Sequence, residues 1–219
     1  MKRSEPRLKG TGFLPVIKSL NLNPAWRDAV PADLKYYLED HVVTSAWYPE
    51  ADYHVLLHLL AELVAQEGRV KDVWEYFGIV AAQRDLVGLQ NLVPPSRRME
   101  VAGIYRNFVG HEPTSIYSLF VRYGKLWSLY HDTGVASVSR SPSNPVCVHV
   151  RIRDFRFPSR GVVQMQMAYL CEFARLSGNE LQGRIVCTTA EGAPYTEWQY
   201  TCQASQQVME SVSQLPLLE

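Results

Sequence analysis

The stretch VCVHVRIRDFRFPSRGVVQMQMAYLCEFARLSG, residues 146–178, changes its hydrophobic period in the middle. Up to Ile152, apolar residues alternate with polar ones, which is typical of a β-strand with one buried face. Asp154 stands where the next apolar residue is due, so the strand is expected to end or bulge there. After Pro158 the apolar residues follow helical spacing up to the C-cap Gly178. The stretch therefore predicts a strand followed by a helix whose wide apolar face needs burial on two sides.

The flanking segments extend this pattern. A second period-two segment, residues 134–140, precedes it across a Ser/Pro/Asn turn and predicts a hairpin. LQGRIVCTT (181–189) and PYTEWQYTC (194–202) predict two closing strands, joined by a turn that contains Glu191-Gly192. From residue 113 onward the order is helix, two strands, helix, two strands, which predicts an α-β-β-α-β-β unit with a four-stranded antiparallel sheet.

The N-terminal half has helical signals. YPEAD (48–52) places proline and acids in a first helical turn, and Gly68 marks the end of that helix. The predicted fold class is therefore α+β. We expect an N-terminal tail over 1–10, one domain over 11–204 with a helical half (11–112) and an α-β-β-α-β-β half (113–204), and a C-terminal tail over 205–219. The sequence leaves open whether that last tail docks.

The amino-acid composition limits the classes of protein and of binding partner that need to be considered. The chain has 219 residues, of which 47% are hydrophobic and 20% charged, and this is ordinary for a packed globular protein. Lys plus Arg and Asp plus Glu both number 22, so no net charge favours nucleic acid or an anionic membrane. The sequence shows neither a signal peptide nor an apolar run of about 18–20 residues, so we expect no membrane span and a cytoplasmic location. The four cysteines form no C-x-x-C pair and are expected to be reduced thiols.

Two histidines one helical turn apart raise the question of a metal site. His54, His58 and Glu62 have i, i+4, i+8 spacing on one predicted helix. At about 1.5 Å per residue the first and third lie about 12 Å apart, so one metal ion could take at most two of them. His54 and His58 are therefore only weak metal candidates, and we predict no metal. A polar helix face or a partner surface is the favoured interpretation.

The predicted strand before Asp154 also carries basic residues. His149, Arg151 and Arg153 alternate along one face, and Arg156 follows. Arginine forks suit carboxylate and phosphate groups, so these residues are a hypothetical surface for an anion or an acidic partner. The favoured alternative is the solvated side of an antiparallel sheet.

Familiar catalytic motifs are missing. Gly10-Thr11-Gly12 lacks the third glycine of a dinucleotide fingerprint, and HEPTS (111–115) departs from the zinc-protease motif at Ser115. Neither a P-loop nor a G-x-S-x-G nucleophile elbow occurs. We therefore expect that the protein is not an enzyme.

The order of elements resembles the fold shared by the 4-vinyl-reductase domain, Bet3-like subunits and the heme-nitric-oxide/oxygen-binding (H-NOX) domains. The whole chain also resembles a paralogous myxobacterial family of similar length. The segments that carry this second resemblance are Gly12-Phe13, WYPE (47–50) with Tyr53, LWSLYHDTG (126–134), and Cys187 with Glu191, Gly192 and Trp198.

The resemblance implies a ligand pocket between the helical half and the sheet half. H-NOX domains hold heme through a helical proximal histidine, and His111 falls near that place, but the H-NOX motif Y-x-S-x-R does not occur here. We therefore predict no cofactor, with heme or another apolar ligand as the alternative. The hypothetical pocket residues are Trp127, Tyr130, Met165, Met167, Tyr169 and His111.

Two functions follow from these expectations. The first is a non-catalytic cytoplasmic regulatory or scaffolding protein that acts through protein partners in bacterial signalling, as a homodimer. The alternative is a sensor that binds an apolar ligand or a tetrapyrrole such as heme between the two halves.

Overall fold

The computed structural model describes residues 5–39, 41–91 and 115–218, and it has the predicted α+β fold. The helices are α1 (Gly10–Asn21), α2 (Pro24–Ala29), α3 (Glu50–Gln66), α4 (Val73–Asn91), α5 (Ile116–Tyr130), α6 (Arg160–Leu176) and α7 (Gln206–Ser213). The strands are β1 (Arg7–Lys9), β2 (Trp47–Pro49), β3 (Val135–Arg140), β4 (Cys147–Arg153), β5 (Leu181–Cys187) and β6 (Thr196–Cys202).

The predicted four-stranded antiparallel sheet is confirmed, with the strand order β3-β4-β6-β5. Val148, Val150 and Ile152 alternate along β4 and are fully buried, beside Trp198 and Tyr200 of β6. This is the expected result of period-two burial on one face of a sheet. β4 ends at Arg153, as predicted.

Asp154, the residue that interrupts the alternation, has a left-handed backbone with φ of 55°. Aspartate tolerates this region better than most residues because its short side chain bonds locally. The chain therefore leaves the sheet at the position that the sequence pattern indicates.

Contacts divide the chain into two compact units. The first comprises the described residues up to Val73 together with Leu126–Gly134. Its core is aromatic, with the ring of Phe13 within 6 Å of the rings of Tyr37, Tyr48 and Tyr53. β1 and β2 pair in a two-stranded sheet, so residues 7–9 of the expected N-terminal tail belong to this unit.

The second unit comprises Trp74–Lys125 and Val135–Glu219 within the described residues. α6 packs on the buried face of the sheet, where Trp198 Nε1 donates a hydrogen bond of 3.0 Å to the Val163 carbonyl. Ser159 caps α6 by accepting from the Val162 amide, in the usual manner of an N-cap serine. The buried apolar residues of this helix are Val162, Val163, Met165, Leu170, Phe173 and Ala174.

The C-terminal segment docks on the second unit. Ser205 caps α7, Val212 is fully buried, and the Leu218 amide donates 2.9 Å to the Arg140 carbonyl at the edge strand β3. The single domain expected over 11–204 stays a prediction. None of the described helices has the combination of length and hydropathy that a membrane crossing requires.

Candidate ligand cavity and polar clusters

A cavity of about 570 Å³ opens within the second unit, beside α4, α6 and the adjoining ends of β5 and β6. Small-molecule sites have volumes of roughly 300–1,000 Å³, so this one has room for a ligand. Its apolar lining includes Ile79 of α4, Ala168 of α6 and Leu181 of β5. The five predicted pocket residues that the structure describes are absent from this lining, although the apolar excess of α6 was a signal for a cavity beside that helix.

Two thiols from different elements line the cavity. Burial raises the pKa of the Cys171 thiol to about 11, and the nearby Glu75 carboxylate adds to this rise. Burial raises the pKa of Cys202 to about 12. Both thiols are therefore uncharged near pH 7, and an uncharged buried thiol behaves as a small polarizable hydrophobe.

Charged groups surround this apolar lining. Glu75, Glu172 and Glu180 contribute three carboxylates, and Arg175 contributes one guanidinium. Glu172 accepts hydrogen bonds from Arg175 Nε (2.6 Å), Arg175 Nη2 (2.8 Å) and Gln83 Nε2 (2.8 Å). The Arg175 guanidinium holds the pKa of the Glu172 carboxyl below its usual range. Glu75 and Glu180, the other two carboxylates of the lining, are exposed.

Two glycines set the approach of α4 to α6. A Cβ on Gly78 would lie 2.4 Å from the Met165 carbonyl oxygen and 2.7 Å from the Cβ of Ala168. A Cβ on Gly161 would lie 2.3 Å from the indole of Trp74. Both contacts are too short for any larger residue, so Gly78 allows α4 to approach the backbone of α6 beside Ala168, and Gly161 allows the Trp74 indole to pack on the start of α6.

The predicted pocket residues belong to both units. Trp127 and Tyr130 lie in the first unit, where the Trp127 ring stacks on His131 at 3.8 Å. On α6 of the second unit, Met165 is buried, Met167 lies next to Gly183, and the Tyr169 hydroxyl donates 3.2 Å to Asp85. His111 lies outside the described residues. The pocket role of these six side chains stays a prediction.

The expected basic ladder on β4 is partly neutralised. Glu197 of β6 stands opposite Arg151 and accepts hydrogen bonds from His149 Nδ1 (2.7 Å) and Arg151 Nε. Glu197 and His149 are only 3% and 8% exposed. The sequence analysis missed Glu197 because the strand register was unknown. Arg153 and Arg156 are exposed, so the predicted anion or partner surface now depends on these two residues.

The histidines of α3 also lie differently from expectation. The sequence places His54 on a face away from the core, but its side chain is only 14% exposed. Glu50, 3% exposed, lies 3.9 Å from His54 Nε2 and accepts 2.9 Å from His131 Nδ1. His58 Nδ1 lies 2.7 Å from the His54 carbonyl oxygen, so it is bonded along the helix.

Burial has a large effect on His54. Desolvation, helped by repulsion from His131 and His58, lowers its pKa to about 3. A neutral imidazole could ligate a metal ion, but the described part of the chain holds no group of three or more His, Cys, Asp or Glu side chains placed to do so. The weak metal candidates His54 and His58 therefore gain no third ligand from this region.

Solved structures with the same fold are H-NOX proteins. A mutant of the T. tengcongensis H-NOX is 12% identical with a TM-score of 0.54, and the match covers 91% of this chain and 100% of that one. An S. oneidensis H-NOX in the Fe(II)NO ligation state is 17% identical with a TM-score of 0.52, and the match covers 90% and 100%. An oxygen-binding H-NOX domain related to soluble guanylate cyclases is 12% identical with a TM-score of 0.52, over 92% and 97%.

At these identities the likeness shows the fold alone, which is H-NOX-like. No protein-family model matches the chain. No curated protein matches it in sequence.

Proposed function

We propose that this protein is a small-molecule sensor of H-NOX-like fold that holds its ligand in the cavity of the second unit. The observation that carries the proposal is the cavity itself, whose volume suits a small molecule and whose lining combines apolar side chains with two uncharged thiols. The H-NOX-like fold favours a sensor over the pure scaffold that the sequence first suggested.

The lining chemistry does not suit heme. Heme has two anionic propionates, whereas the cavity has three carboxylates and a single guanidinium that already binds Glu172. A different ligand is therefore proposed for this cavity.

Heme remains the alternative ligand. His111 is the residue that the H-NOX resemblance nominates as an axial ligand, and it lies outside the described residues. An absorption spectrum of freshly purified protein tests this alternative. A Soret band that disappears in His111→Ala would support heme with His111 as its axial ligand.

Binding in the cavity would stabilise the second unit. The lining joins α4 and α6 to the ends of β5 and β6, so a ligand would contact four elements at once. A ligand that binds only the folded state stabilises it by about 2.7 kcal/mol at a hundredfold excess over Kd. Such a shift in the stability of one unit is a signal that a partner protein could detect.

Two neighbouring residues of α4 provide a matched test. Ile79 lines the cavity, whereas Val80 is 40% exposed and lies outside the lining. In a thermal-shift screen of small molecules, ligands of the wild type should lose their effect in Ile79→Trp and keep it in Val80→Trp. Equal shifts in wild type and Ile79→Trp, with both variants folded by circular dichroism, would contradict the proposal.

Several expectations from the sequence extend this proposal. We propose that the protein has no catalytic activity, acts in bacterial signalling through a protein partner, and forms a homodimer. Membership of the myxobacterial family and kinship with the vinyl-reductase and Bet3-like proteins stay predictions. Sedimentation and partner capture with the wild type and Ile79→Trp would test whether the state of the cavity changes either assembly.

A further inference from the structure

We infer that Cys147 is a peroxide-reactive thiol, with His149 as the base that takes its proton and Glu197 as the residue that positions this base. The inference goes beyond the proposed function, because these side chains lie on the face of the sheet opposite to α6 and do not line the cavity. It follows from the contacts that surround the Cys147 sulfur.

Strands β4 and β6 bring a thiol, an imidazole and a carboxylate into contact. His149 Nε2 lies 3.7 Å from the Cys147 sulfur, and His149 Nδ1 lies 2.7 Å from Glu197 Oε1. A carboxylate only accepts, so Nδ1 carries a proton, and the neutral imidazole then has its lone pair on Nε2, beside the thiol. A nucleophile next to a base that a third group orients is the arrangement by which proteins activate cysteine.

A fourth side chain directs a hydrogen-bond donor at the same sulfur. Gln199 stands opposite His149 in the β4–β6 register, and its Nε2 donates a hydrogen bond of 2.7 Å to the Cys147 sulfur. Arg184 of β5 donates to Gln199 Oε1, which fixes the orientation of the amide. An N–H group aimed at the sulfur stabilises the negative charge that the sulfur gains when it gives up its proton.

Burial limits the size of the molecule that can react. Cys147 is fully buried, His149 is 8% exposed, and Gln199 is half-buried. A peptide or a bulky ester needs an open cleft at the nucleophile. Hydrogen peroxide is little larger than water, and a rotation of the half-buried Gln199 side chain would give it access to the sulfur. A small oxidant is therefore the reactant that this site favours.

The proposed reaction needs peroxide and no other reactant. His149 Nε2 takes the thiol proton, the sulfur attacks one peroxide oxygen, and the O–O bond breaks as the S–O bond forms. The departing hydroxide receives the proton from His149 and leaves as water. Cys147 is oxidised to the sulfenic acid while peroxide is reduced, and added thiols reverse this change.

The other cysteines of the full chain provide an internal comparison, because exposure alone predicts the opposite order of reaction. Cys171 and Cys187 are half-buried, whereas Cys147 is fully buried. Burial raises the pKa of Cys171 to about 11, that of Cys202 to about 12, and also that of Cys187, so these three thiols stay protonated near pH 7.

The experiment exposes folded protein briefly to hydrogen peroxide, then denatures and alkylates it and maps the remaining thiols by peptide mass spectrometry. We expect Cys147 to lose its thiol about tenfold faster than each of the other three cysteines. The measured quantity is the loss that dithiothreitol reverses, because sulfenic acid is reversible and the higher oxidation states are not.

His149→Gln tests the base. Glutamine keeps an N–H group for Glu197 but has no ring nitrogen to take the thiol proton, so the preference for Cys147 should disappear while the other thiols react as in the wild type. His41→Gln, the same substitution at a side chain that is 62% exposed, is the matched control and should keep the preference.

Preferential oxidation of Cys147 that persists in His41→Gln and is lost in His149→Gln would support the inference. Oxidation of Cys147 no faster than that of Cys171, or an unchanged preference in folded His149→Gln, would overturn it. If His149→Gln does not fold, the wild type in denaturing urea decides. The preference should vanish there, and a preference that the unfolded chain retains would overturn a role for the folded site.

Discussion

Each unit has a buried glutamate beside a histidine, and the two glutamates differ in how many of their carboxylate oxygens have hydrogen-bond partners. Glu197 accepts from His149 through one oxygen and from Arg151 through the other, so both oxygens have partners. Glu50 accepts from His131 through Oε1, whereas its Oε2 has no hydrogen-bond partner among the described residues. Arg151 brings a permanent charge to the second-unit cluster, whereas the described side-chain partners of Glu50 are the imidazoles of His131 and His54.

The difference shows where function should be sought. His149 with Arg151, and His54 with His58, are the polar groups that stand out in the sequence as sites. In the structure, buried glutamates pair with His149, Arg151 and His131, so these clusters are occupied by internal bonds. The cavity in the second unit is lined by residues that no sequence motif identifies, and it has space for an outside molecule.

The largest expected effect on stability comes from removing Glu197, which binds His149 and Arg151 in the second unit. Glu197→Ala would leave the Arg151 and His149 side chains, 14% and 10% exposed, without their carboxylate. Removing one partner of a buried ion pair costs about 3–5 kcal/mol. Urea unfolding should show a loss of this size, whereas Glu210→Ala, an exposed control, should change stability by less than about 0.5 kcal/mol. Losses of equal size would contradict the account of the Glu197 cluster.

The first-unit cluster of Glu50, His54 and His131 should make the free energy of unfolding depend on pH. Because the folded-state pKa of His54 is lowered from 6.5 to about 3, the unfolded chain binds its proton first as pH falls. Its stabilising effect is full above pH 6.5 and is lost progressively toward pH 3. Between about pH 7 and pH 5 this amounts to about 2 kcal/mol of unfolding free energy.

Comparison of two phenylalanine variants isolates this effect. His54→Phe cannot titrate and should lose about 2 kcal/mol less than the wild type between about pH 7 and pH 5. His41→Phe, at a side chain that is 62% exposed, should keep the pH dependence of the wild type. An identical loss in wild type and His54→Phe would show that folding does not lower the pKa of His54, and would contradict this account.

The smallest effect is expected from an isosteric change at Glu50. Glu50→Gln retains an acceptor for His131 Nδ1 and replaces an oxygen that has no partner among the described residues, so it should cost about 1 kcal/mol or less. Glu197→Gln puts an amide N–H against a donor of Arg151 or His149 and should cost more. The urea denaturation midpoints of the two variants show which of them loses more stability. A reversed order would mean that Glu50 Oε2 has an essential partner.

The sequence was sufficient to predict the sheet because its signals are local. Period-two alternation indicated β3 and β4, the interruption at Asp154 indicated the end of β4, and Gly178 indicated the end of the helix before β5. These patterns depend on backbone geometry within a few residues. The order of these elements resembles the fold shared by 4-vinyl-reductase, Bet3-like and H-NOX proteins, and the solved H-NOX structures have the same fold as this chain.

The site could not be predicted in the same way because its residues are distant in sequence. Ile79, Cys171 and Cys202 meet only through the packing of α4 on α6 and the register of β5 on β6. The pairing of Glu197 with Arg151 likewise depends on the β4–β6 register, and that of Glu50 with His131 joins positions 81 residues apart. The excess apolar face of α6 was the single local indication that something further packs there.

Native mass spectrometry of freshly purified protein tests the central claim most directly, because it detects a ligand retained from the cell without requiring its identity. We predict a discrete additional mass on the wild type and on Val80→Trp that is missing from Ile79→Trp. An additional mass that Ile79→Trp retains would contradict the claim that the second-unit cavity is the ligand site.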